Sequence, residues 1–115
     1  MNKKTYDRLQ EIAKAQEMTT YSDIAPLADL SMDNEDDRNA ISIILEEIAQ
    51  HEESEKRPML TAVVIHRGDN IPGEGFFQIA QKFGRYNGSR NQNNRLRFWI
   101  DALNSVHEYW KEKIT

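Results

Sequence analysis

The chain has 115 residues, of which 38% are hydrophobic and 30% charged, with a net charge of −4; that size and balance suit one self-sufficient domain spanning residues 1–115. It contains no cysteine, which excludes disulfides, zinc-thiolate sites and thiol nucleophiles. No apolar run approaches the ~18 residues of a membrane span, and the basic start at Met1–Lys4 runs into an amphipathic pattern, so the expectation is a cytoplasmic protein with no membrane partner.

Tyr6, Leu9, Ile12 and Ala13 recur at spacings of three and four, which predicts a first helix over 4–17. Thr20-Tyr-Ser-Asp23 has the form of a capping box, and Ile24, Leu27 and Leu30 follow on one face of a short second helix. Pro26 restricts that helix to starting near Ser22 or kinking, because proline fits only a first turn. Glu35-Asp-Asp37 then places negative charge at the start of a third helix, with Ile41, Ile44, Leu45 and Ile48 as its stripe. It frays through His51–Lys56 and stops before Pro58.

Met59–His66 is rich in β-branched residues and reads as a buried strand, paired either with 71–77 in a hairpin or with another subunit. Phe76, Ile79, Ala80 and Phe83 predict a short fourth helix closed by Gly84 in the left-handed cap position. Residues 85–94 read as a mobile polar loop. From Arg95 onward Leu96, Ile100, Leu103, Val106, His107, Trp110 and Ile114 predict a long closing helix, with Phe76, Phe77, Phe83, Trp99 and Trp110 as core. The class is therefore α+β and mainly helical: a winged-helix-like helix-turn-helix core, one strand or hairpin, and a long C-terminal helix.

The Gly/Pro loop after the strand holds Gly68, Gly73 and Gly75 but lacks the lysine of a P-loop and the glycine spacing of a dinucleotide fingerprint. It suits a tight strand-to-helix turn whose amides can hold one anion. His66, Asp69 and Glu74 form a candidate general acid–base set on this loop. None of His51, His66 and His107 has a histidine three or four residues away, so neither a metal nor another cofactor is expected.

Helix, short helix, longer helix, strand and Gly-rich loop is the element order of a winged helix-turn-helix. Thr20-Tyr-Ser-Asp-Ile-Ala25, a helix beginning near Arg38, and Val64-Ile-His-Arg67 before a Gly-rich turn resemble the DNA-binding domain of alkyltransferase-like proteins and alkylguanine-DNA alkyltransferases, over about residues 18–77. The resemblance implies that Tyr21 faces the phosphate at a target nucleotide and that Arg38 enters the base stack. Ile65 stands where those transferases carry the reactive cysteine, so alkyl transfer is excluded and binding remains. Glu35, Asp36, Asp37, Glu46 and Glu47 depart from the family's recognition helix by placing acids where phosphates would approach.

Charge divides sharply along the chain. Residues 29–55 hold ten acids against Arg38, and residues 56–100 hold eight cations against Asp69 and Glu74. Lys82, Arg85, Arg90, Arg95 and Arg97, with Tyr86 and Trp99, occupy a stretch free of acids and rich in Asn and Gln. The leading expectation is non-enzymatic binding of DNA, RNA or a phosphorylated small ligand through these residues, aided by Arg67 and the loop amides. The competing structural expectation is that the same cations pair with the acidic third helix. A second functional expectation is an adaptor or regulatory module whose acidic third helix or C-terminal helix meets a protein partner, including a second copy as a homodimer. A third is a hydrolase built on His66, Asp69 and Glu74.

Overall fold

The computed structural model describes residues 1–111. Asn2 accepts the Thr5 amide (3.0 Å) and starts α1 (Lys3–Lys14), which turns Thr5, Leu9, Ile12 and Ala13 inward. The helix stops short of residue 17 because Gln16 is left-handed, with φ 63°. Thr20 ends β1 (Thr19–Thr20) and caps α2 (Tyr21–Ile24), its hydroxyl accepting the Asp23 amide at 3.2 Å. The helix thus starts one residue from the expected Ser22, and at Pro26 the chain tightens into a 3-10 turn, Ala25–Ala28. Asn34 accepts the Asp37 amide at 2.8 Å and begins α3 (Glu35–Ser54), whose Ile41, Leu45, Ile48 and Ala49 are buried.

The end of α3 does not fray. Glu52 is fully buried, and one of its carboxylate oxygens accepts the Arg57 Nε–H. The Arg57 amide returns to the Glu52 carbonyl at 2.9 Å, Lys56 takes φ 59° between them, and Arg57 Nη2 donates to Tyr6 Oη at 3.2 Å. This reversal feeds a buried 3-10 turn, Leu60–Val63, where a strand was expected, and the extended segment shrinks to β2 (Val64–Ile65). Trp99 Nε1 donates to the Ala62 carbonyl at 2.8 Å, occupying an acceptor that a ladder would have used.

The strand partner is not 71–77 but a segment near the start of the chain. β2 pairs in parallel with β1, in the register Thr19↔Val64 and Thr20↔Ile65. Residues 66–71 close a turn, with the His66 amide on the Ile71 carbonyl (2.8 Å) and the Asn70 amide on the His66 carbonyl (3.0 Å). No second wing strand forms among the described residues.

α4 (Glu74–Lys82) begins two residues before the expected Phe76 and buries Phe76, Phe77, Ile79 and Ala80. It ends as expected at Gly84, φ 73°, with the Arg85 amide on the Ala80 carbonyl at 3.0 Å. The polar stretch after it is tied down rather than loose. Ser89 donates its amide to Asn87 Oδ1 (2.9 Å), Asn91 its amide to Ser89 Oγ (3.1 Å), and Tyr86 its hydroxyl to the Ser89 carbonyl. Asn91 caps α5 (Gln92–Trp110), which starts three residues before Arg95 and turns Trp99, Val106 and Trp110 inward. Ile114, assigned to the same stripe, lies outside the described residues.

Phe76, Phe77, Trp99 and Trp110 join the hydrophobic cluster, and Phe83 packs half-buried against it. The Cα radius of gyration, 13.3 Å, is that of a chain packed around one core. Among the described residues no helix is long and apolar enough to cross a membrane.

Candidate functional site: a cleft between α2, α3 and α4

The parallel strand pair decides where the side chains that follow it go. Because Thr20 is level with Ile65, the next residues, Tyr21 and His66, emerge side by side, with ring centroids 4.5 Å apart. Gly73 comes up beneath both rings and donates its amide to Tyr21 Oη at 2.8 Å. A Cβ there would lie 2.9 Å from His66 Nε2 and 3.2 Å from Tyr21 Oη, so any side chain at this position would push both rings aside. Burial pushes the Tyr21 phenol above its usual pKa, and the charge of Asp69 adds to this, while the Gly73 amide opposes it. Tyr21 is thus a neutral phenol whose oxygen has accepted a bond and whose hydrogen remains to be donated.

Tyr21 and His66 form one end of a cleft of about 600 Å³ between α3 and α4. Its apolar lining comes from Ile41, Leu45, Phe76 and Ile79, and its polar lining includes Ser42, Thr61 and Gln78. Arg38 stands at the rim, exposed, with Nη1 donating to the Met32 carbonyl at 2.9 Å and with no ion pair among the described residues. Glu46 on α3 and Lys82 on α4 face each other across the cleft at 3.6 Å.

Most cations of the basic stretch are spoken for. Arg85 grips Glu53 with two bonds, 2.6 and 2.9 Å, and Arg95 grips Glu74 likewise at 2.7 and 2.9 Å. These carboxylates hold both guanidinium groups above their usual pKa, and Arg95 in turn draws the Glu74 carboxyl below its own. Arg95 also lies over the Phe77 ring at 4.8 Å. Arg67 meets Asp23 at 3.3 Å and Arg90 approaches Glu74 at 3.9 Å, both far more loosely and at well-exposed positions. Arg97 is exposed and makes no ion pair among the described residues. Tyr86 and Trp99 are buried, so neither presents a ring for stacking.

His66, Asp69 and Glu74 share no hydrogen bond. Asp69 accepts the Ile71 amide within its own turn (3.3 Å), and Glu74 is taken by Arg95; His66 and Glu74 line the cleft, whereas Asp69 does not. A general base needs an orienting partner, and His66 has Tyr21 for a neighbour instead. Among the described residues no group of three or more His, Asp or Glu is placed to hold a metal ion.

Met32, Ser42, Thr61 and Gln78 carry no chemical signature in sequence, and their place in the cleft follows only from packing. Gly73 had a visible signal, a glycine between two ring-bearing segments, but its role depends on the β1–β2 register. No protein-family model, no curated protein and no solved structure matches the chain.

Proposed function

We propose that this chain is a non-enzymatic nucleic-acid-binding domain of winged-helix-like organisation, which seats one nucleotide at the cleft between α2, α3 and α4. The observation that carries the reading is the meeting of Tyr21, Arg38 and His66, from three separate segments, on one cleft of about 600 Å³. That volume falls within the ~300–1,000 Å³ of small-ligand sites, and its apolar lining with a few polar groups is the usual composition of such sites.

Each group has a distinct part. The apolar lining receives the flat face of a base, Tyr21 has a hydroxyl hydrogen for a phosphate oxygen, and Arg38 offers a guanidinium without a carboxylate partner. Lys82, Arg67 and Arg90 lie around this region in loose pairs that a polyanion can replace. Acids along the outer face of α3 repel phosphates, so the strand approaches from the α4 side and not along α3. A free nucleotide shares this chemistry, and its affinity relative to an oligonucleotide separates the two ligands.

The test is fluorescence anisotropy with labelled single-stranded and duplex DNA and RNA at several salt concentrations. Retention that weakens with salt is expected, and Arg38→Ala or Tyr21→Phe should reduce it, the first by roughly tenfold or more as a charge-assisted contact is removed. Arg8→Ala, which removes an exposed cation paired to Glu11 on α1, should change little. Binding that is absent, insensitive to salt, or unchanged by Arg38→Ala and Tyr21→Phe ends this reading.

A further inference from the structure

α5 turns Trp99, Val106 and Trp110 into the core and leaves exposed the surface that runs from Leu96 and Ile100 on its flank round to Arg97 and Asp101. On that face Leu96 and Ile100 lie one turn apart, 41% and 43% exposed. Beside them, along one flank, run Arg97 and Asp101, also one turn apart and both exposed. Residues at this spacing can pair within a helix. Here neither makes an ion pair among the described residues, which leaves opposite charges in line next to two uncovered apolar side chains.

We propose that this face is the contact between two copies of the chain, packed with their α5 helices antiparallel about a two-fold axis level with Trp99. In an antiparallel helix pair the same flank of each helix faces its counterpart, so a patch must complement itself. Arg97 and Asp101 lie two residues to either side of residue 99. With the axis there, Arg97 of each copy stands level with Asp101 of the other, and two reciprocal ion pairs flank a centre made from Leu96 and Ile100 of both copies.

Charge selects a second copy over other occupants. A nucleic acid carries one sign and would meet Asp101, while a strongly acidic or basic protein would satisfy only half of the flank. Ile43, the other large apolar side chain exposed mid-helix, sits on α3 one turn from Glu47, whose carboxylate the Met1 ammonium already pairs, so it lacks the open pair of opposite charges that flanks Leu96 and Ile100. No residue of α5 lines the cleft, so the contact leaves both clefts open and stands apart from the nucleic-acid reading. Arg97 is thereby assigned to the contact between copies.

Sedimentation equilibrium from micromolar to millimolar protein provides the test. The intact chain should dimerise with concentration, and Ile100→Glu should be monomeric throughout with unchanged circular dichroism and melting. Arg97→Asp and Asp101→Arg should each weaken dimerisation by roughly tenfold, since two exposed attractions become repulsions. Mixing those two variants in equal amounts should restore the dimer as a heterodimer, because both crossed pairs are then of opposite sign. An intact chain that stays monomeric overturns the proposal. So does a dimer that survives Ile100→Glu, a mixture no stronger than either variant alone, or larger assemblies that Glu47→Lys dissolves.

Discussion

Arg57→Met is expected to destabilise this domain by about 3 kcal/mol. Glu52 is fully buried, with one carboxylate oxygen on Arg57 and the other already without a hydrogen-bond partner. Removing Arg57 leaves a buried carboxylate with only the Tyr6 hydroxyl beside it, and breaking a buried pair from one side typically costs about 3–5 kcal/mol. The lower end applies because the Arg57 side chain is 21% exposed, so water already screens the pair on one side. For a domain of this size that loss lowers the melting temperature by about 10–20 °C.

Glu52→Gln should be milder, about 1–2 kcal/mol, since the guanidinium it leaves behind is partly solvated and keeps its bond to Tyr6. The double variant Glu52→Leu with Arg57→Met should be more stable than Arg57→Met alone, because no charge is left uncompensated. Urea and thermal denaturation of the set, with the single variant Glu52→Leu added, complete a double-mutant cycle. An Arg57→Met protein within about 0.5 kcal/mol of the parent, or a double variant weaker than Arg57→Met, would show that the Glu52 carboxylate reaches water and is not held by Arg57.

Gly73→Ala keeps an ordinary backbone angle, φ −74°, so stability should change by no more than about 1 kcal/mol. The new methyl displaces His66 and Tyr21, and the imidazole and phenol resonances of both residues should shift together in NMR spectra; unmoved resonances would contradict the close approach. Arg95 draws the Glu74 carboxyl below its usual pKa, so the clamp's contribution is fully present above the unfolded value of about 4.3 and is lost as pH falls through the lower folded value. Glu74→Gln should flatten the stability profile in that acid range, an effect reduced by solvent at this exposed site, and an unchanged slope would place the clamp's origin elsewhere. Trp99→Phe leaves the buried Ala62 carbonyl without its donor and should cost about 1–3 kcal/mol, measured by urea denaturation.

The features that could be read along the chain are those whose cause lies within a few residues. The Ile41–Ile48 stripe of α3, the Thr20 cap and the Gly84 terminus depend on helical period and on bonds spanning three to five positions, and they stand where local chemistry puts them. Pro26 narrowed the second helix to two outcomes but could not choose between them. The acidic and basic halves were visible as counts, and the prospect that they neutralise one another was visible with them. Which cation meets which acid was not, because Arg85–Glu53 and Arg95–Glu74 join residues 32 and 21 positions apart.

The losses were the long-range features. Met59–His66 looks like a strand because β-branched residues favour one, yet its environment is buried on every side, and tertiary packing overrides that propensity. Glu52 reads as part of a fraying end until Arg57 and Tyr6 close around it. The stretch 85–94 reads as mobile because its composition is polar, although the side chains of Asn87, Ser89 and Asn91 each accept an amide of its own backbone. Tyr21, Arg38 and His66 were each singled out on separate grounds, two by resemblance and one by its loop. That Tyr21 and His66 meet follows from a two-residue parallel register between segments 45 positions apart, and the packing of α3 brings Arg38 to the same cleft; no local pattern encodes either.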